Sequence, residues 1–370
     1  MSLNKASYIL VSLMTMWGLS VHGKESVKPK EQINYKVTPV TQVKGIPWGI
    51  EFKNENELFI SMKDGQLFLY NIKSKVLQDI KGVPKSKVHG QGGLLDIMLH
   101  PEFDKNSRIY FSYTKEIEGN FTTALAFGTL ENSEVKNLKE FFVANNASKN
   151  SIHFGSRIVH DGKHIYFSVG DRGERDRAQS LDADQGKIHR MTLEGQTPED
   201  NPFVKNKQAR KTIWSFGHRN PQGLVYDPKN KILYEHEHGP RGGDEVNIIE
   251  KGKNYGWPVV TFGREYYGPK ISKHTSLKGY VDPIYQYTPS IAPSGLELYT
   301  GTKFPEWTGK LILGALAYTH LNVLDIKDRA NIKEQRLFQD RKERIRDVKQ
   351  SPSGDLYYST DNGQIYKLAR

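Results

Sequence analysis

One pattern occurs six times along this chain: a short strand, a turn, and a second strand that is strongly alternating or aromatic. The copies are PWGIEF with ELFISMKDGQLFLYNI, LLDIMLHPEF with RIYFSYT, and SRIVHDG with KHIYFSVGD and GKIHRMTL. They continue as GLVYDPK with KILYEHEHG, GLELYTG with GKLILGAL, and RDVKQSPSG with DLYYSTDNGQIYKLA. Each second strand places β-branched and aromatic residues at period two, and most are entered through Gly, Pro, Asn or Asp, as tight connections between strands require. Six copies at irregular spacings predict an all-β chain folded as a six-bladed β-propeller with loops of variable length. An ordinary β-sandwich with accidental repetition is the alternative. Propellers host many chemistries, so the activity has to be sought in the loops that meet on the axis. The widest gaps between successive second strands, 169–231 and 235–309, hold the densest motifs.

The start of the chain reads differently. Lys5 is the only charge before Lys24, residues 8–19 are largely apolar, and small residues lie near Val21 and Gly23. That order predicts a secretory signal peptide over 1–23, too short and too weakly apolar for a lasting membrane span, with an uncleaved anchor as the alternative. A polar linker, 24–36, and a propeller domain, 37–370, follow. The expected location is periplasmic or secreted, without stable membrane insertion. Among 370 residues there is no cysteine, which excludes a disulfide framework, thiolate metal sites and a cysteine nucleophile together. The formal charge is +11, from 53 basic and 42 acidic residues, and loss of the leader with its single Lys leaves 52 − 42, or +10. The cations are scattered, with no basic helix and no basic run interleaved with aromatics, so nucleic acid is not the expected partner. A basic surface does attract anionic cofactors, acidic sugars and acidic electron-transfer partners.

Among familiar signatures, GxGxxG after a strand, GxxxxGK[ST], GxSxG and HExxH are all absent. What remains is a run from Trp214 to Trp257 reading WSFGHRNPQGLVYDP, EHEHGPRGGDEVN and KGKNYGWP, with no helical period. Its glycines, prolines and paired carboxylates suit loops that hold something charged. Exposed carbonyls from Gly and Pro together with Asp244 and Glu245 form a donor mixture that Ca²⁺ accepts, although acidic turns are also commonly solvated. His236 and His238 alternate on a strand and share a face. They have no evident third ligand, so packing of one and exposure of the other is expected over a metal pair. His153, before a strand in NSIHFGSRIV, is a candidate general base as well as a candidate structural histidine. Asp171, ending the next strand, can orient such a ring or form a turn before Gly173. Arg219 is a further candidate. Arg344 and Arg346 alternate in ERIRDV, and their forks suit carboxylates, on a ligand or in an ion pair between blades.

GQGGLLDIMLHPEF, HFGSR, WSFGHRNPQG, EHGPRGGDE, KGKNYGWP and RIRDV, in this order over nearly all the mature chain, resemble the soluble aldose sugar dehydrogenases dependent on pyrroloquinoline quinone, within the glucose/sorbosone dehydrogenase family. That family is a six-bladed propeller, in agreement with the repeats. The resemblance implies that His153 takes the proton of an anomeric hydroxyl while hydride passes from the sugar carbon to the quinone, with Asp171 its acidic neighbour. It implies cofactor contacts at Gln91, Arg219, Asn220, Tyr266, Ala315, Leu316, Ala317, Arg344, Ile345 and Arg346. It also implies cofactor-linked Ca²⁺ on the carbonyls of Gly239 and Pro240, and a further calcium position at Glu245 and Tyr255. One departure stands out: Ala317 occupies a position where the family often has a lysine on the cofactor, so Ala315, Leu316 and Ala317 are left with backbone and packing contacts. The expected activity is oxidation of an aldose substrate to its lactone with an external electron acceptor, by a monomer or homodimer. A calcium-dependent propeller lactonase and a non-catalytic propeller binding sugar or protein are the rivals; a neutral lactone has no need of Arg344 and Arg346.

Overall fold

Each of the six repeats supplies the first two strands of one four-stranded antiparallel sheet in a computed structural model that describes residues 35–370. A strand β1 (Lys36–Gln42) comes first and is set aside for the end. The first blade is β2 (Pro47–Asn54), β3 (Glu57–Met62), β4 (Leu67–Asn71) and β5 (Val76–Ile80). The second is β6 (Leu94–Leu99), β7 (Arg108–Ile117), β8 (Asn120–Glu131) and β9 (Glu134–Val143). The third is β10 (Ile158–His160), β11 (His164–Val169), β12 (Lys187–Thr192) and β13 (Ile213–Phe216). The fourth is β14 (Pro221–Asp227), β15 (Ile232–Glu237), β16 (Asp244–Ile249) and β17 (Tyr285–Tyr287). The fifth is β18 (Pro293–Leu298), β19 (Leu311–Ala315), β20 (Leu321–Asp325) and β21 (Lys333–Leu337). The sixth is β22 (Ile345–Gln350), β23 (Leu356–Thr360) and β24 (Gln364–Ala369), completed by β1, which pairs with β24 from Lys36↔Ala369 to Gln42↔Gln364. The chain is therefore a six-bladed β-propeller whose first strand closes its last blade, which removes the open edge between the two ends of the ring.

The inner strands β2, β6, β10, β14, β18 and β22 each pack against the next, and β22 packs against β2. The alternation that marked the second strands has a specific use. Both of their faces are buried, because each blade stacks between two neighbours. In β3, Phe59 enters the core shared with the second blade, while Leu58, Ile60 and Met62 enter the core shared with the sixth. In β11, Ile165, Phe167 and Val169 face the second blade and Tyr166 the fourth. In β19, Leu311 and Leu313 face the fourth blade and Ile312 the sixth. One apolar cluster fills each of the six interfaces, and each fully buried Phe or Leu contributes about 1.5–3 kcal/mol by leaving water.

Lys36, expected as the last linker residue, is the first residue of β1. The predicted signal peptide and residues 24–34 of the linker lie outside the described residues. Among the described residues no helix is long and apolar enough to cross a membrane.

Candidate active site

Where the inner strands begin and the second strands end, loops of all six blades enclose an axial cavity of about 370 Å³. It is lined by Trp48 and Lys63 of the first blade, Gln91 and Leu95 at the entry to the second, Phe154 and Gly155 before the third, and Asn220, Gln222 and His238 of the fourth. Ala292 and Leu316 of the fifth blade and Arg344, Arg346 and Asp361 of the sixth complete it. Arg157 ties several of these blades together. Its guanidinium lies 3.2 Å from both Asp96 and Asp347, donates to the carbonyls of Gln222 (2.8 Å) and Arg346 (3.2 Å), and stacks 4.1 Å from the Trp48 ring.

His153 sits beside this cavity in a loop built on unusual backbone: its own φ is +55°, Gly155 has +63° and Ser156 +81°. A Cβ on Gly155 would stand 2.7 Å from the amide nitrogen of Gly170, and one on Gly170 would stand 2.2 Å from the His153 carbonyl oxygen. Glycine at both positions lets the loop approach the end of β11 closely enough for Asp171 to reach the imidazole. His153 Nδ1 lies 2.6 Å from Asp171 Oδ1, and the backbone N–H of His153 donates to Gln91 Oε1 at 2.8 Å. Asp171 also accepts Gly173 N–H on Oδ1 (2.7 Å) and Trp257 Nε1–H on Oδ2 (2.8 Å), so the turn role and the ring-orienting role coexist in one side chain. Burial alone would raise the Asp171 carboxyl. The hydrogen bond and charge of His153, with Arg219 and the Gly173 amide, hold it below its ordinary value instead. Burial pulls His153 below the ordinary histidine value; Arg219 and Arg172 act in the same direction and Asp171 opposes them. An ionised Asp171 facing Nδ1 assigns that nitrogen the proton, leaving the Nε2 lone pair of the neutral form without a hydrogen-bond partner among the described residues.

On the opposite wall, one carboxylate holds two guanidinium groups. Arg344 Nε and Arg346 Nη2 donate to Asp361 Oδ2 at 2.8 and 3.0 Å, and Arg346 Nε to Oδ1 at 2.8 Å. The ion pair forms within the sixth blade, not between blades. Arg344 also donates through Nη1 to the Leu316 carbonyl at 2.8 Å. Arg344 Nη2 and Arg346 Nη1 find no acceptor among the described residues, so the wall offers free N–H groups to an anion.

A second, much smaller space of about 10 Å³ adjoins across His238, lined by Arg219, Glu237, Gly239, Glu245, Tyr255 and Trp257. That is room for roughly one water-sized species. Glu235, Glu237 and Glu245 are all buried here, and one ligand atom from each of His218, Glu235 and Glu237 lies within 4.8 Å of the others. Burial, and then the neighbouring Glu237, push Glu235 and Glu245 well above the ordinary carboxylate range. Glu235 Oε1 and Asn247 Oδ1 are buried without any hydrogen-bond donor. Clustered buried carboxylates with orphaned oxygens are costly unless a cation joins them. The hard oxygen donors and the size of the space fit Ca²⁺. Gly239 supports this geometry because a Cβ there would lie 2.3 Å from the carbonyl oxygens of Gly242 and Gly243. Its amide donates to Asp244 Oδ1, while the Pro240 carbonyl accepts the Arg264 amide.

The profile of the glucose/sorbosone dehydrogenase family matches residues 45–367. The chain belongs to the glucose/sorbosone dehydrogenase family. Aldose sugar dehydrogenase YliI of Escherichia coli is 40% identical over 332 residues, 87% of this chain and 90% of the relative. The crystal structure of the soluble E. coli aldose sugar dehydrogenase in the apo-form superposes with a TM-score of 0.87 at 37% identity, over 90% of this chain and 99% of that one. The PQQ-bound form of aldose sugar dehydrogenase from Streptomyces coelicolor shares the fold, with a TM-score of 0.72 at 24% identity over 91% and 98% of the two chains. This glucose/sorbosone dehydrogenase is thus an oxidoreductase of the aldose sugar dehydrogenase type.

Within this dehydrogenase the structure brings together Gln91, Asn220, Leu316, Arg344 and Arg346 around the axial cavity, with His153 and Asp171 at its side. Arg219, Gly239, Glu245 and Tyr255 meet around the smaller space, with Pro240 next to Gly239. Four expected contacts do not reach the cavity with their side chains. Ile345 lies between Arg344 and Arg346, so strand alternation turns it into the core between the fifth and sixth blades. Ala315 is in the core between the fourth and fifth. Ala317 is half-buried beyond the lining, its amide bonded to the Ile291 carbonyl at 2.9 Å. Tyr266 is 69% exposed on the long loop that follows β16. His236 and His238 make no metal pair: their Nε2 atoms lie 2.8 and 2.7 Å from the carbonyls of Gly295 and Pro293 on the next blade. His236 is buried, and His238 is half-buried rather than exposed. Sequence reasoning missed Lys63, Asp361, Trp257 as a partner of Asp171, and the set His218, Glu235 and Glu237. The EHEHG motif was the one available signal for the last.

Proposed function

We propose that the protein oxidises aldoses at the anomeric carbon to lactones, using pyrroloquinoline quinone and Ca²⁺, and that it acts after export. The observation that carries this reading is His153, oriented by Asp171, beside a cavity whose far wall presents guanidinium N–H groups that have no acceptor among the described residues. His153 Nε2 takes the proton of the anomeric hydroxyl, and Asp171 stabilises the imidazolium that results. Arg344 and Arg346 offset the carboxylates of the bound quinone, with Gln91 and Asn220 completing its polar surroundings. Gly239 and Pro240 would hold the cofactor-linked calcium through their carbonyls, and Glu245 with Tyr255, beside the buried Glu237, would hold a further one. When bound, the quinone accepts the hydride and calcium polarises its carbonyl, chemistry that a cysteine-free chain without a nucleotide motif does not itself supply. Loss of one hydride and one proton turns the hemiacetal into the lactone, and the two electrons leave to an external acceptor. The S. coelicolor relative, of the same fold, binds this quinone, which supports the cofactor assignment.

The test is reconstitution of the apo-protein with Ca²⁺ and pyrroloquinoline quinone, followed by dye reduction across a panel of aldoses. Cofactor-dependent absorbance change with sugar-dependent dye reduction is expected, and His153→Ala should remove most turnover while retaining the cofactor. Absence of both signals in the wild type would overturn the reading; hydrolysis of lactones without quinone would replace it with a lactonase.

A further inference from the structure

Lys63 faces the axial cavity from the turn after β3, and nothing in the motifs anticipates it there. Its backbone is fixed between two blades: the amide donates to the Ile46 carbonyl at 3.0 Å, and the carbonyl accepts the Leu94 amide at 3.2 Å. Gly93 makes that docking possible, since a Cβ on it would stand 1.9 Å from the Lys63 carbonyl oxygen. The side chain is therefore directed from a rigid root over the cavity. Its ammonium donates to the Gly90 carbonyl, next to Gln91, and has no other hydrogen-bond partner among the described residues. A lysine has three N–H donors, so two remain for a ligand.

The charge balance of the cavity gives those donors a purpose. The lining holds three cations, Lys63, Arg344 and Arg346, and a single carboxylate, Asp361, which both arginines already share. Burial, followed by repulsion from Arg346, holds Lys63 below the ordinary lysine value, with Asp361 opposing. A cation kept in such surroundings without a carboxylate of its own is relieved by an anion entering the cavity. On the fifth blade, where the family resemblance expects a lysine, Ala317 contributes no charge.

We propose that Lys63 is an anion-binding residue of the cofactor site, donating to a carboxylate of the quinone from the first blade and supplying the charge that Ala317 lacks. The inference rests on the dehydrogenase reading above and adds to it a residue that no motif assigns.

The test measures binding apart from turnover. Full-length apo-protein is titrated with pyrroloquinoline quinone and Ca²⁺ and followed by quenching of intrinsic fluorescence. A charge-assisted hydrogen bond predicts that Lys63→Met weakens Kd by roughly 10- to 100-fold. Lys63→Arg should stay within a few-fold of wild type, and the salt dependence of Kd should flatten in Lys63→Met but not in Lys63→Arg. Lys63→Gln, which keeps a polar group of similar length, serves if the methionine variant folds poorly, and it should weaken binding similarly. Wild-type affinity and salt dependence in both neutral variants would overturn the role of Lys63 and leave the dehydrogenase intact. Failure of the wild type itself to bind the quinone would remove both.

Discussion

Replacing Asp171 by Asn is the sharpest probe of the candidate base, because it keeps the shape of the side chain and removes only its charge and one acceptor. Asp171 Oδ1 receives His153 and Gly173 N–H, and Oδ2 receives Trp257 Nε1–H. Gly173 N–H and Trp257 Nε1–H can only donate, so a carboxamide nitrogen placed at either oxygen position faces a donor. Placed at the Oδ1 position it also points an N–H at His153 Nδ1, which moves the ring proton to Nε2 and removes the lone pair that would act as base. In either orientation the imidazolium formed in the reaction loses its counter-charge. General-base catalysis contributes about 10²–10⁴ in rate. At 1.36 kcal/mol per decade, the variant should lose about 3–5 kcal/mol of transition-state stabilisation. The pH profile supplies the discriminating sign. Asp171 works to raise the His153 pKa, while burial, Arg219 and Arg172 lower it. Removing the carboxylate leaves only the lowering effects, so the acid limb of kcat/KM must move to lower pH while the plateau falls. Dye reduction by the reconstituted enzyme over about pH 5 to 8, the range in which histidines titrate, measures both. A lowered plateau with the limb unmoved, or moved to higher pH, would refute the assignment of His153 and Asp171 as a coupled pair.

Two further outcomes follow from the same geometry. Ca²⁺ at a hundred times its Kd should stabilise the fold by about 2.7 kcal/mol over chelator-treated protein, and Glu237→Gln should abolish most of that gain. Scanning calorimetry checks it, and identical midpoints with calcium and with chelator would remove the cation from the buried glutamate cluster. Gly155→Ala places a side chain at φ +63° and 2.7 Å from the Gly170 amide nitrogen, so urea unfolding should show a loss of about 1–3 kcal/mol and turnover should fall with it. Unchanged stability there would mean that the His153 loop is not held by close approach to β11.

What could be read from the residues divides along physical lines. The second strands of the blades are buried on both faces, which forces apolar residues onto successive positions and makes six copies visible. The outer strands answer to solvent, as the patterns of β5 (four of five positions exposed) and β21 show, and they carry no period to detect. For the same reason no repeat marks β1, and its first residue, Lys36, reads as the end of the linker, although the pairing of β1 with β24 closes the ring. His153, Asp171, Arg344 and Arg346 stood out because each lies in a local motif. Lys63 in MKDG and Asp361 in TDNG look like ordinary polar turns, and only the ring places them together.

That contrast explains how the site is assembled. Lys63 belongs to the first blade and Arg346 to the last, separated by most of the chain, yet β22 packs directly against β2 and both side chains line one cavity. β1, which pairs with β24 of the sixth blade and leads along the chain into β2 of the first, links these two blades. A charge arrangement able to hold a polycarboxylate therefore depends on ring closure as much as on the motif-rich segment from Trp214 to Trp257. That segment contributes Arg219, Asn220 and the buried glutamates, while the base comes from the third blade and the remaining cations from the first and sixth. Disrupting closure should thus weaken anion binding before it disturbs the His153 and Asp171 pair, whose partners all lie between Gln91 and Trp257.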